Sequence, residues 1–286
     1  MMSKKVTEAK KNEVSTYVYK PVETVIASDI TIPRLRLMQG LSGFVGDGKA
    51  AVGELRRSTN CELLGWVGTE KKDVQPVEFV PLTFINQWVV QCSREGKVHH
   101  QKAKFVKFEL RTAANDDLDW EWEDKATDRT LKRVKIIEVF ALLVGDMEKA
   151  AKAEAEFKKT KTLPDLDDTL LPVVITFKGP KTYAAGQAIV TQFTKAKSLG
   201  VKYGTTIKPH SYKMLLTPYS FENDKGKFFV MDVQTKGKIS DDQLKLSDEW
   251  CQTLRTASVK VDEFEEDSGA STPQDKGQNL SDTEAF

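Results

Sequence analysis

The sequence predicts a mainly β body with flanking helices, of α+β class, whose strands close into a small barrel or form a strongly curved antiparallel sheet. Three observations lead there. Residues 76–110 alternate their side-chain character with the period of two that strands require. Residues 209–234 place two apolar runs around Asn223-Asp224-Lys225-Gly226, the clearest hairpin in the chain. Stretches of helical character at 147–160, 181–199 and 240–259 lie between and after these strands.

The elements follow in order. Residues 1–28 form a polar arm in which Lys4, Lys5, Lys10, Lys11 and Lys20 outnumber Glu8 and Glu13; it reads as a flexible basic terminus. The body is expected over 29–261. It begins with a short extended segment at Ile32 to Met38, followed by turns at Gly40, Gly43, Gly46 and Gly48. Gly43 to Ala50 comes close to a phosphate-binding loop, but Ala50 replaces the magnesium-binding hydroxyl and Gly53 interrupts the helix that should follow. A Gly-Asp-Gly turn accounts for it better.

Residues 76–92 and 98–110 read as one long hairpin, with Val106, Phe108 and Leu110 toward a core and Phe105 and Lys107 on the opposite, exposed side. The acidic stretch 115–128 carries Trp120 and Trp122, as a hairpin tip with a packed Trp edge or as a docking loop. Residues 133–145 are apolar on both faces and suit a central strand. The Ala, Glu and Lys of 147–160 suit an exposed helix. Residues 164–172 are a linker, 173–179 a strand, and 181–199 an amphipathic helix. In the 212–230 hairpin, Tyr212, Met214 and Leu216 share the core side, while Lys213, Leu215, Thr217 and Tyr219 share the other. Phe228 and Phe229 must point to opposite faces. Ser240 is a good cap for the last helix.

At 286 residues and 40% hydrophobic, the chain can bury a sizeable core, and no apolar run is long enough to span a bilayer. Cys61, Cys92 and Cys251 are too few and too scattered for a disulfide framework or a zinc knuckle. A reducing, cytoplasmic setting is expected, and no metal or other cofactor.

The net charge of +1 hides a division. Residues 262–286 hold eight acids and one base, a net of −7, which leaves +8 on residues 1–261. With few aliphatic residues, this tail is expected to be disordered. Between Val173 and Lys238, eleven lysines face only Glu222, Asp224 and Asp232, and eight aromatics are interleaved with them. Lysines neutralise phosphates, and ring faces stack unpaired bases without regard to sequence. The nucleic-acid-binding candidates are therefore Phe105, Lys107, Lys178, Lys181, Lys208, Lys213, Tyr219, Lys227 and Phe229. A hairpin buries one face, so about half of the aromatics belong to the core, and a basic window can also be a merely solvated face.

The tail ends in Phe286 after Asp282 and Glu284. In this it resembles the single-stranded DNA-binding proteins of bacteria and phages, whose disordered acidic tails end in Phe. Ile32 to Gln39, Gly53-Glu54-Leu55, Leu64-Gly65, Val77 to Leu82 and the region of Tyr212 to Val230 are similar to tailed-phage proteins of replication and recombination. The resemblance implies an oligonucleotide-binding (OB)-like barrel, single-stranded DNA as partner and cytoplasmic action in the host. It also implies that Asp282, Glu284 and Phe286 dock replication or recombination proteins, and it is compatible with a homo-oligomer. A plain solubility tail is the simpler alternative for 262–286.

Catalytic motifs are missing from the sequence. His99 and His100 are adjacent on an expected strand and point to opposite faces, His210 stands apart, and no Gly-x-Ser-x-Gly, His-Glu-x-x-His or Cys-x-x-Cys occurs. The expectation is a non-enzyme. Alternatives are a phage structural or scaffolding protein, or an accessory module to a recombinase or to transcription.

Overall fold

The computed structural model describes residues 31–40, 42–67, 73–92, 105–116, 118, 121–124, 129–161, 171–223, 226–256 and 260–261. The basic arm 1–28, His99 and His100, and the tail with Asp282, Glu284 and Phe286 lie outside the described residues. The fold is mainly β with flanking helices. Its centre is a long antiparallel pair, β6 (Val77–Cys92) and β9 (Arg129–Leu143), paired from Phe79 opposite Leu143 to Cys92 opposite Leu131 with one register shift between Pro81 and Thr83.

From β9 the sheet continues through β10 (Val173–Lys178), β2 (Arg34–Leu37), β3 (Glu54–Arg57), β4 (Leu63–Val67) and β5 (Val74–Gln75). Only the β10–β2 pair in this series is parallel. Strand β5 then runs through Pro76 directly into β6. The sheet therefore curls until its last strand is continuous with its central one, which is the strong curvature expected from the sequence. The hairpin of β11 (Tyr212–Asn223) and β12 (Gly226–Lys238) joins β6 at Val77 to Phe79. At the far end, β7 (Phe105–Leu110) pairs with β6 and β8 (Glu121–Asp124) with β9.

Paired residues share a face, so the ladders define an inside and an outside. Leu35, Leu55, Phe79, Ile137, Val139, Ile175, Phe177, Met214, Leu216, Met231 and Val233 fill the inside. Helix α4 (Pro180–Tyr203) lies on them through Ala185 and Ile189, and Phe193 meets Phe84 edge-on at 5.2 Å. Gly186 permits this approach, because a Cβ there would stand 2.8 Å from Phe177 Cβ. The outside carries α3 (Val144–Thr160) and α5 (Asp241–Thr256), which bury Val80, Leu82, Leu142, Met147 and Cys251. Ser240 caps α5 as expected, in a reciprocal pair: Gln243 N–H donates to Ser240 Oγ and Ser240 N–H to Gln243 Oε1. The pair β1 (Thr31–Ile32) and β13 (Lys260–Val261) stands apart from the main sheet.

Gln39 holds the curl closed. Its Nε2 donates to Phe229 O at 2.8 Å and its Oε1 accepts from Phe229 N–H at 3.3 Å, so one side chain bonds β12 as a neighbouring strand would. Gly53, at φ +90°, lies directly against the Phe229 ring. Arg57, wholly buried on β3, is tied to Asp146 in the first turn of α3 at 2.6 Å. The near phosphate-binding stretch forms a single helical turn, α1 (Gly43–Gly46), and the chain then enters strand β3 instead of a helix.

Two expectations are corrected or sharpened. Leu110 is 65% exposed and does not face a core, since β7 lies at an edge of the sheet. Phe229 points inside with Met231 and Val233, while Phe228 is buried on the opposite face, opposite Phe221.

Candidate nucleic-acid interface

Strands β6 and β9 outrun α4. Past the N-terminus of that helix, the inside face changes from aliphatic to aromatic and cationic. Trp88 on β6 stands opposite Lys135 on β9, and Val90 opposite Arg133. On the flanks, Glu109 of β7 pairs with Trp88 and Trp122 of β8 with Leu131. All of these positions share the parity of Ile137 and Val139, so the residues form one continuous surface with the core.

The cations lie over the rings. Lys135 Nζ is 5.0 Å and the Arg111 guanidinium 5.9 Å from the Trp88 centroid, and the Arg133 guanidinium is 4.4 Å from that of Trp122. Trp88 is only 4% exposed, so it is the floor and the cations are the surface. The Lys135 side chain is 40% exposed and that of Arg111 25%. A cation over an indole face gains about 0.5–2 kcal/mol and loses freedom, which holds it in position for an anion. Glu109 approaches Arg133 at 3.4 Å.

Arg111 follows β7, where its N–H continues the ladder to Asn86 O. A single helical turn, α2 (Ala113–Asp116), comes next and is held by Asn115. The Asn115 Oδ1 accepts from Thr112 N–H and from Trp88 Nε1, and its Nδ2 donates to Leu110 O. This places Asp116 against Arg111, with Nε–Oδ1 at 2.6 Å and Nη2–Oδ2 at 2.7 Å, and Lys135 at 3.4 Å from the same carboxylate. The Arg111 hydrogen bonds hold the Asp116 carboxyl down at about 2, and Asp116 in turn raises the Arg111 guanidinium. Arg111 Nη1 also donates to Tyr183 Oη at 2.8 Å, which joins the loop to α4. Two residues earlier, Lys181 Nζ stands 5.0 Å over Phe221 of β11, a ring that pairs with Phe228 on the face opposite Phe229.

The structure distributes the sequence-derived candidates unevenly. Lys181, in the first turn of α4, stands over Phe221 rather than over Trp88 or Trp122. Phe105 and Lys107 sit on β7 with backbones opposite Gln91 and Val90, and their side chains lie outside the described residues. Lys178 ends β10 opposite Ile136, on the outer face. Lys213 forms an ion pair with Glu78 at 2.6 Å, and Lys208 with Asp248 at 2.6 Å. Lys208 also follows the far end of α4, a 24-residue helix of about 36 Å, so it does not join Lys181 in one compact site. Tyr219 is half-buried, with its phenol raised by burial and by Asp232. Lys227 lies 5.7 Å over the Phe229 ring, which itself packs on the core.

Sequence reasoning missed Trp88, Arg111, Arg133, Lys135 and Tyr183 as a group. A faint signal was present: Arg133 and Lys135 are two apart in a strand, and so share a face. Pairing them with Trp88 required the β6–β9 register.

The only cysteine–histidine–carboxylate arrangement among the described residues is structural. His210 Nε2 lies 2.7 Å from Asp248 Oδ1, and its Nδ1 lies 3.5 Å from Cys251 Sγ. Cys251 is buried, its Sγ donates to Leu82 O, and burial pushes the thiol up to about 11, so it stays protonated near neutrality. Burial opposes ionisation of Asp248, but hydrogen bonds from Lys208 and His210 outweigh it and hold that carboxyl low. The cluster pins α5 to β6. No group of three or more His, Cys, Asp or Glu that could hold a metal ion occurs among the described residues. No helix among them is long and apolar enough to cross a membrane.

No family model matches this sequence, and comparison with curated proteins and with solved structures returned no match.

Proposed function

We propose that this protein binds single-stranded nucleic acid, with DNA as its ligand, through the inside face of β6, β7, β8 and β9 beyond α4. The observation that carries the reading is the band of Arg111, Lys135 and Arg133 laid over Trp88 and Trp122. Fixed cations neutralise backbone phosphates, and guanidinium planes offer stacking surfaces to bases without selecting among them. The resemblance to phage single-stranded DNA-binding proteins supports a role in replication or recombination, with residues 262–286 recruiting partners. The protein acts here as a binder and not as a catalyst.

Titration with oligo-dT and with duplex DNA, followed by tryptophan fluorescence, tests this. Tight oligo-dT binding, weak duplex binding and a salt slope of about −0.7 per phosphate contact are expected. Failure of both nucleic acids to bind would overturn the reading.

A further inference from the structure

Within the band, one carboxylate occupies the place where a phosphate would go. Asp116 receives two nearly parallel hydrogen bonds from Arg111, at 2.6 and 2.7 Å, and the Lys135 ammonium approaches the same carboxylate at 3.4 Å. A guanidinium fork that grips a carboxylate matches a phosphate equally well, because both present two oxygens in one plane. The remaining geometry holds Arg111 independently of Asp116. Its Nη1 bonds the Tyr183 hydroxyl at 2.8 Å, and its backbone N–H bonds Asn86 O. Lys135 is likewise held by its place on β9 opposite Trp88. Asp116, by contrast, hangs from the single turn α2, whose anchor is the side chain of Asn115 and not a packed core. The cations are rigidly built and the carboxylate is peripheral. The Asp116 side chain is about one-third exposed, which leaves solvent access to the anion position.

We infer that Arg111 and Lys135 form a preformed phosphate site, occupied in the free protein by the Asp116 carboxylate, which an incoming phosphodiester displaces. The inference deepens the proposed function by naming where one backbone phosphate sits and what competes with it. It predicts that Asp116 opposes binding, although it is the closest partner of the central arginine. A purely positioning role for Asp116 predicts the reverse.

The test compares the full-length protein with Asp116→Asn and Asp116→Ser, the second guarding against misfolding of the first. Two probes are used. With oligo-dT, both variants are expected to bind about 3- to 10-fold more tightly than the parent at equal salt, with a similar salt slope because the same phosphate is contacted in every form. With inorganic phosphate alone, thermal unfolding of both variants is expected to shift upward with concentration more than that of the parent. Weaker or unchanged oligo-dT binding by the variants, with no added response to phosphate, would overturn the inference and leave Asp116 as a brace for Arg111. If the variants gain the phosphate response while no form binds oligo-dT, the phosphate site stands and the proposed function falls.

Discussion

The two halves of the β6–β9 ladder share strands, register and face, yet they do opposite things. Near the base, Phe79, Ile137 and Val139 are closed off from water, and the half-buried Phe84 meets Phe193 of α4. Beyond the helix N-terminus, the same parity carries Trp88, Arg133 and Lys135. What separates the halves is the reach of one helix. Under α4, an aliphatic side chain is worth about 1.5–3 kcal/mol of burial. Past its end, no helix among the described residues lies on this face, and rings under cations stand where aliphatics stood. The lesson is that a sheet can be core and binding surface on one face, with the boundary set by whatever lies on it.

Predictions that break this comparison begin with the base. Phe177→Ala removes a fully buried ring beneath α4 and should cost about 3–5 kcal/mol, read as a lowered denaturant midpoint. Gly186→Ala should cost about 1–3 kcal/mol, because its Cβ would press on Phe177 and Ile137. The converse experiment is at the tip. Replacing Arg133 and Lys135 together by Ala should leave the unfolding midpoint within about 1 kcal/mol of the parent and weaken oligo-dT binding about tenfold or more. Equal loss of stability at both ends would abolish the distinction between core and surface.

A smaller effect is expected where the curl closes. Gln39→Ala leaves the Phe229 backbone groups without their partner and should cost about 1–2 kcal/mol, with oligo-dT affinity unchanged. The smallest is a pH effect. Asp116 is held at about 2 against an ordinary 3.8, first by its hydrogen bonds from Arg111. A depressed carboxyl contributes its stabilisation fully above the ordinary value and loses it as pH falls through the folded one. Acid titration of tryptophan emission should therefore show a step near pH 2 in the parent that Asp116→Asn lacks.

Much of this architecture was legible because it is local. Alternation marked β6, β11 and β12, and Met214 and Leu216 are buried as their parity required. The apolar run 133–145 is indeed the central strand, and Ser240 caps its helix. Leu110 was misjudged because alternation assigns parity but not cover, and an edge strand has less of it. The lysine window is a related case. Composition counts charges but not their partners: Lys208 and Lys213 are committed to Asp248 and Glu78, 40 and 135 residues away.

From sequence alone came the strands, their faces, the helices and the division between a basic body and an acidic end. These depend on periodicity and on charge, which are properties of neighbouring residues. Only the tertiary structure decided that Trp88, Arg111, Lys135 and Tyr183 meet, that Gln39 closes the curl, and that α4 stops where it does. Each of those facts rests on contacts between distant residues, formed by strand register and helix packing, and no local pattern encodes them.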